Sequence, residues 1–188
     1  MAKDNKREKI LKALENLLPG KRFHEITLDE VAKNAQVGKG TIYLYFKDKD
    51  ALFSEMICFR LECLKEELEQ LHEEVSEKLP EKIFELINGF IRRHHDGFGQ
   101  IGEFASQIAR MAPEELERLK TTAQNIVDTA SLIMQRCNPQ WSEEQTHTYA
   151  QILLWLIDCY SRSDLQGMKN LPSPDFLQEF FRRGAGLM

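Results

Sequence analysis

Long apolar runs, paired cysteines and strand-like alternation are all scarce in this chain of 188 residues. The longest apolar stretch, residues 150–160, is far shorter than the roughly 20 residues that span a bilayer, and it contains Asp158. The first residues offer no apolar segment of the kind that a secretion signal requires. The four cysteines have no CxxC spacing, which favours reduced thiols packed as small apolar side chains. We therefore expect a cytoplasmic globular protein that makes no contact with a membrane.

Motifs for catalysis and metal binding are missing as well. The sequence has no GxSxG, no HExxH and no glycine loop of the phosphate-binding type. His94 and His95 are adjacent, so in a helix they point to different sides and cannot easily share one ion. A solvated helix end is the simpler interpretation of this pair. We expect no catalytic residue, no metal and no cofactor.

Charge is unevenly spread along the chain. The whole sequence carries a net charge of −5. Residues 1–50 contain 11 basic and 8 acidic residues, a net of +3, whereas residues 51–188 contain 14 and 22, a net of −8. Because residues 1–50 are modestly basic and residues 51–188 are acidic, only the N-terminal part is expected to bind a polyanion.

Apolar residues recur at helical spacing throughout, which predicts an all-α fold of about nine helices. Capping boxes and proline positions indicate where several of them begin. We expect an N-terminal three-helix, helix-turn-helix domain at residues 1–50 and a helical ligand-binding and dimerisation domain at residues 51–188. Four of the predicted helices have both ends assigned, at about 4–18, 39–45, 80–96 and 98–111. For the other five only the start is assigned, at about residues 27, 48, 113, 142 and 173.

The segment from residue 27 to residue 46 predicts two short helices joined by a tight turn. Ala32 is the small residue at the crossing, Val37 fills the turn, and Ile42 anchors the inner face of the second helix. This is the arrangement of a helix-turn-helix, whose second helix enters the major groove of DNA. An ordinary helical hairpin with its tyrosines in the core is the alternative. If Ile42 and Phe46 point inward, the residues predicted to face outward, towards bases and phosphates, are Lys39, Thr41, Tyr43 and Tyr45.

Residues 6–56, and above all 27–52 together with the segment GTIYLYFKDKDALF at residues 40–53, resemble the N-terminal domain of the TetR family of bacterial transcriptional regulators. The resemblance implies a homodimeric repressor that binds a palindromic operator and is released by a small-molecule inducer. Carried over by position, it implies contacts near bases for Lys39, Gly40, Thr41 and Leu44. It implies phosphate contacts for Thr27, Tyr43, Tyr45 and Lys49.

Two positions of the turn depart from the family pattern. Gln36 stands where glycine is usual, which costs about 1 kcal/mol if the backbone there is left-handed. Gly38 stands where a Ser or Thr cap is common, and glycine is an acceptable cap. The charge of Lys49 opposes the dipole of the helix that it begins, a conflict that a nearby phosphate would resolve.

The later helices predict a dimer seam. The segment 149–160 is apolar nearly all round, and a helix of that kind is buried on every side. A partner subunit could cover its second face, and with the last helix it would form a four-helix seam. A monomer with both helices internal is the alternative. The predicted interface residues are Tyr149, Ile152, Leu156, Phe176 and Phe180.

A ligand pocket is predicted among the fifth to eighth helices. Its aromatic and thioether-rich residues suit a flat or lipophilic ligand, and solid core is the alternative for each of them. A bound ligand would tilt the fourth helix and alter the spacing of the two recognition helices, which must be about 34–36 Å or a multiple of it. A metal-dependent helical enzyme and a protein-binding module, each with an accessory helix-turn-helix, are the rival functions. The candidate pocket residues are Phe90, Phe98, Phe104, Ile108, Met111, Ile126, Met134 and Trp155.

Overall fold

The computed structural model describes residues 2–19, 21–74, 79–95 and 108–163, and beyond them residues 176, 179 and 183. All the regular structure in these ranges is helical, which confirms the all-α prediction. Seven α-helices are described, against about nine expected; the predicted helix at 98–111 and the one from 173 lie almost wholly outside the described residues. The helices are α1 (Ala2–Leu17), α2 (Leu28–Ala35), α3 (Lys39–Tyr45), α4 (Lys49–Glu73), α5 (Leu79–His95), α6 (Pro113–Cys137) and α7 (Glu143–Ser163), with a 3-10 turn at Phe23–Glu25.

Several helix starts lie where local sequence signals predict them. The Asp48 carboxylate accepts a hydrogen bond from the Ala51 N–H at 2.8 Å and caps α4. At α7 the Ser142 hydroxyl accepts from the Gln145 N–H at 3.2 Å, while the Gln145 side chain accepts from the Ser142 N–H at 2.8 Å. Pro113 is the first residue of α6, where its missing N–H leaves no helical bond unmade.

Packing divides the chain into two units. The first contains the chain up to Arg60 and the described residues between His94 and Lys120, so α4 and α6 both begin in it. The second contains the described residues from Leu61 to Arg93 and from Thr121 onwards.

The first unit is organised around one apolar core. α1 packs against α2, and α2 packs against α3. Within this core the rings of Phe23 and Phe53 pack against each other with centroids 4.4 Å apart. This core fixes α3 from its inner side. Its buried members are Ile10, Leu11, Ala13, Leu14, Leu18, Phe23, Ile26, Val31, Ala32, Ala35, Ile42, Phe46, Leu52, Phe53, Met56 and Ile57.

An ion-pair cluster ties three helices of the first unit together. The carboxylate of Glu55 on α4 accepts a hydrogen bond from Arg118 on α6 at 2.8 Å and a second from Arg7 on α1. Glu55 is only 17% exposed, so solvent screens these contacts less than it screens surface pairs. Arg60, buried on α4, donates to Glu15 on α1 at 2.8 Å.

The second unit has its own core, built by the end of α4 with α5, α6 and α7. On α6 the residues Ile126, Ala130 and Ile133 are buried at helical spacing. The buried face continues by a four-residue step to Thr122, whereas Ala123 is exposed. A buried hydrogen bond of 3.1 Å between the hydroxyls of Ser131 and Thr146 joins α6 to α7. The buried apolar members are Leu64, Leu68, Leu71, Leu79, Ile83, Phe84, Ile87, Ile126, Ala130, Ile133, Met134, Ala150 and Leu153.

The cysteines whose side chains are described, Cys58, Cys63 and Cys137, are in the reduced state. Burial raises the pKa of Cys137 to about 11, so its thiol stays protonated near neutral pH. None of the described helices has both the length and the apolar character that crossing a bilayer requires.

Candidate nucleic-acid interface

The turn between α2 and α3 is closed by two backbone hydrogen bonds. The Val37 N–H donates to the Ala32 carbonyl at 2.9 Å, and the Gln36 N–H donates to the Lys33 carbonyl at 3.2 Å. This is the Schellman pattern, in which the residue after the helix adopts a left-handed conformation. Gln36 is that residue, with φ 57° and ψ 41°. The condition under which Gln36 was predicted to cost stability is therefore met.

α3 begins directly after this turn and is anchored from below. Gly38 is its N-cap residue, with φ −72° and ψ 146°, and supplies no side-chain cap. Ile42 is fully buried and Phe46 is 4% exposed, which confirms that both point into the core. The two anchors fix the rotation of α3 about its own axis.

The face of α3 opposite these anchors is exposed. Tyr43 is 53% and Leu44 81% exposed, and Lys39 and Gly40 are exposed beside them. At about 100° per residue these four positions share one arc of the helix.

The remaining two residues predicted to face outward lie elsewhere on α3. Thr41 and Tyr45 are half-buried, because residues two apart in a helix lie about 200° apart around its axis. The Tyr45 ring packs against the first core, with its centroid 6.3 Å from that of Phe46. Thr41 and Tyr45 therefore do not share the exposed face of Lys39 and Tyr43, contrary to the prediction that all four face outward.

Packing among the described residues does not require a glycine at position 40. A Cβ built on Gly40 would meet nothing within 4 Å. Its backbone belongs to a helix, where alanine is the more stable choice.

Lys39 forms an ion pair across the turn. Its ammonium donates a hydrogen bond to the Asp29 carboxylate on α2, with 2.7 Å between nitrogen and oxygen. The side chains of Lys39 and Asp29 are 48% and 68% exposed. This hydrogen bond raises the pKa of Lys39, so the ammonium form is favoured further.

The donors of Thr27 are engaged by Glu30. The Thr27 N–H and hydroxyl donate to one Glu30 carboxylate oxygen at 2.8 and 3.0 Å, and the hydroxyl accepts from the Glu30 N–H at 3.2 Å. Lys21 pairs with the other oxygen of the same carboxylate. The Lys21 hydrogen bond, followed by those from Thr27, lowers the pKa of Glu30 to about 2. The predicted capping box is confirmed, and Glu30 stays ionised at neutral pH.

Lys49 is held within the chain. Its ammonium donates to the Phe23 carbonyl and lies 4.3 Å from the centroid of the Phe23 ring. These two contacts stabilise a cation at the start of α4, where a phosphate was expected to do so.

The candidate ligand residues lie in two different units or outside the described side chains. Ile108 packs half-buried against the first core, and Met111 is 9% exposed. Ile126 and Met134 belong to the second core. Trp155 is 63% exposed, so this chain does not enclose it. The Phe90 side chain, Phe98 and Phe104 lie outside the described parts.

The candidate dimer residues include exposed apolar side chains. Ile152 and Phe176 are 45% and 57% exposed. The Tyr149 ring is half-buried 5.0 Å from that of Trp141, and burial raises the pKa of Tyr149. The Leu156 side chain and Phe180 lie outside the described parts.

Within the described ranges, no group of three or more His, Cys, Asp or Glu residues is placed to hold a metal ion. The contact that sequence reasoning missed is the one between Asp29 and Lys39. The two residues are ten positions apart on different helices, and no periodic signal links them; only the geometry of the turn brings them together.

Comparisons with known proteins agree with this geometry. Residues 10–56 match the family "Bacterial regulatory proteins, tetR family". The HTH-type transcriptional regulator YhgD of Bacillus subtilis is 32% identical over 97 residues, which are 50% of each chain. The chain thus spans about half the length of that relative, and its similarity to two others covers a shorter segment of 54 residues.

Similarity of fold extends much further along the chain. A TetR transcriptional regulator from Legionella pneumophila superposes with a TM-score of 0.68 at 17% identity, covering 95% of this chain and 94% of that one. A TetR-family regulator from Mesorhizobium loti gives 0.67 at 14% identity, with 99% and 96% covered. The helix-turn-helix segment at residues 10–56 is thus similar to the TetR family of bacterial regulatory proteins, and the fold as a whole is like that of solved TetR-family structures.

Proposed function

We propose that this protein is a homodimeric, sequence-specific DNA-binding transcriptional regulator, a repressor that a small lipophilic or aromatic molecule releases from its operator. The observation that carries the proposal is the exposed face of α3, formed by Lys39, Gly40, Tyr43 and Leu44. α3 is a helix of 7 residues anchored by Ile42. A helix about 10–12 Å in diameter matches a major groove about 12 Å wide.

The composition of that face supports contact with a duplex. Leu44 is 81% exposed, and an apolar side chain there can meet a thymine methyl group. Lys39 and Tyr43 supply donors that suit base edges and phosphates.

Gly40 gives a second line of support. Inside a helix glycine costs up to about 1 kcal/mol relative to alanine, and no neighbour within 4 Å in this chain requires it. A partner outside the chain that approaches the backbone of α3 closely would account for it. The edge of a DNA base pair is such a partner.

The dimer is supported by α7. Ile152 and Trp155 are three residues apart, so they share a helix face, and both are exposed large apolar side chains. Exposed apolar side chains grouped in this way are typical of surfaces that another chain covers. We therefore include Trp155, first considered for the ligand pocket, in the proposed dimer seam with Tyr149 and Ile152.

The ligand site is proposed within the second unit, with Ile126 and Met134 as its candidate residues. α4 begins in the first unit and ends in the second, so a ligand that shifts the end of α4 would act on the recognition helices. In this mechanism ligand and DNA weaken each other's binding by the same factor.

Selection of duplexes from a random-sequence pool by the purified protein tests the proposal. We expect enrichment of a palindromic sequence, with an affinity that falls with salt at a logarithmic slope of about −0.9 per phosphate contacted. Leu44→Ala should weaken binding of the selected duplex about tenfold, whereas the matched control Leu132→Ala, which truncates an exposed leucine on α6, should leave it unchanged.

Gly40→Ala separates function from folding. It should leave the free energy of unfolding unchanged or slightly higher, while it weakens binding of the selected duplex at least tenfold. Failure to enrich any sequence from the pool, with a dimer verified by sedimentation, would contradict the proposed function.

A further inference from the structure

Asp29 lies beside the proposed DNA contacts although its charge repels phosphates. Its carboxylate is 2.7 Å from the ammonium of Lys39 and is 68% exposed. The hydrogen bond of Asp29 crosses the turn to α3, whereas Glu30 is the acid that completes the capping box of α2. The charge of Asp29 in the first turn of α2 is favourable to the helix dipole, but Asp29 does not cap the helix, and its hydrogen bond goes to α3 instead.

The ion pair makes the start of α3 locally neutral. Binding to DNA of arbitrary sequence depends almost wholly on lysine and arginine contacts with phosphates. An ammonium that is already paired with a carboxylate gains little from a phosphate, and the carboxylate itself repels that phosphate. Asp29 should therefore weaken binding to any duplex that offers Lys39 only a phosphate.

A preferred sequence offers more than phosphates. The O6 and N7 acceptors of a guanine can replace the carboxylate as partners of Lys39. The released Asp29 carboxylate can accept a hydrogen bond from the amino group of a cytosine. These base contacts offset part of the free energy that is lost when the ion pair between Asp29 and Lys39 opens. DNA of arbitrary sequence offers no such compensation.

Resting on the proposed function, we propose that Asp29 is a specificity-determining residue: it holds Lys39 away from phosphates and releases it only where base edges replace the carboxylate. Specificity of this kind comes from a penalty on the wrong partner as much as from contacts with the right one. The penalty falls on arbitrary sequences.

Asp29→Asn tests this inference, because it removes the charge and keeps the shape. Affinities would be measured for two duplexes of equal length: one selected by the unmodified protein, the other with the same composition in scrambled order. We expect affinity for the scrambled duplex to rise about fivefold and affinity for the selected duplex to change less than twofold. On the scrambled duplex the salt slope should steepen by about 0.9, the value for one more phosphate contact.

Two controls separate this role from a simple change of charge. Asp128→Asn on α6 changes the net charge by the same amount at another exposed carboxylate and should alter neither affinity. In a Lys39→Ala background, Asp29→Asn should lose most of its effect on the scrambled duplex, because the lysine that it would release is gone.

Three results would overturn the role of Asp29: equal gains for both duplexes, no change for either, or a loss confined to the selected duplex. The last would mean that Asp29 only reads a base. An unmodified protein with no preferred duplex would overturn the proposed function as well, and this outcome is distinct from the other three.

Discussion

Gln36 gives a quantitative test of how the two helices of the helix-turn-helix are joined. Its φ of 57° is the one positive value among non-glycine residues in the described parts of the chain. An L-residue in this region costs about 1–2 kcal/mol, while glycine there loses about 0.5–1 kcal/mol through the greater freedom of the unfolded chain. Gln36→Gly should therefore raise the free energy of unfolding by about 0.5–1 kcal/mol.

The structure indicates that little else changes with this substitution. The Gln36 side chain is exposed, so no packing is lost. The two hydrogen bonds that close the turn use the backbone N–H groups of Gln36 and Val37, which glycine at position 36 retains. The strain in φ is then the only large term that differs between the two proteins.

Urea unfolding at one fixed protein concentration measures the effect, since the stability of the proposed dimer would depend on concentration. Gln36→Ala is the matched control: it removes the side chain but keeps the Cβ, and should lie within about 0.5 kcal/mol of the unmodified protein. If the glycine variant is no more stable than the alanine variant, backbone strain at residue 36 is not the cause and the reasoning is refuted.

Three further outcomes follow from single contacts. Glu55→Gln should lower the free energy of unfolding by about 1.5–3 kcal/mol, because two arginines lose a shared and largely buried charge. Glu69→Gln, which breaks an exposed ion pair with Lys65, should lower the free energy of unfolding by less than about 0.5 kcal/mol. Equal losses for the Glu55 and Glu69 variants in urea unfolding would contradict this reasoning. The difference in free energy of unfolding between Glu30→Gln and the unmodified protein should persist above pH 4.5, the ordinary pKa of the carboxyl group, and shrink towards pH 2. The reason is that the carboxylate of Glu30 has a pKa of about 2 in the folded protein. A difference that stays constant between pH 4.5 and pH 2 would refute this prediction. Thr146→Val should cost about 1–2 kcal/mol in urea by leaving the buried Ser131 hydroxyl without that partner, and adding Ser131→Ala should recover part of the loss.

The helix boundaries were predictable because their signals are local. The caps at Asp48 and Ser142 act over three residues, and Pro113 acts through its own ring. The turn at Gln36 was predictable for the same reason, since its conformation is set by the residues on either side. The anchors of α3 followed from helical spacing within one short segment.

The side-chain contacts of the candidate site were harder to predict from the sequence. The pairing of Lys39 with Asp29 depends on the angle at which α2 and α3 meet, and that angle is set by the whole first core. Trp155 is an aromatic residue of the kind that lines ligand pockets, but the residue type alone does not show which side of α7 faces the core. The outward prediction for Tyr45 failed because alternate residues were assigned to one face, which is correct for a strand and not for a helix.

Local costs to stability are concentrated where the protein is proposed to meet DNA. Gln36 has a strained φ, Gly38 lacks a side-chain cap, and Gly40 is a glycine inside a helix with open space around it. At each of these three positions another residue would make the folded protein more stable, and the three positions lie within five residues of one another. Elsewhere in the first unit the core residues and caps agree with the local fold. Since α3 is too short to be stable by itself, the core beneath it must offset these costs, and that leaves the sequence of its outer face free to be determined by the partner rather than by folding.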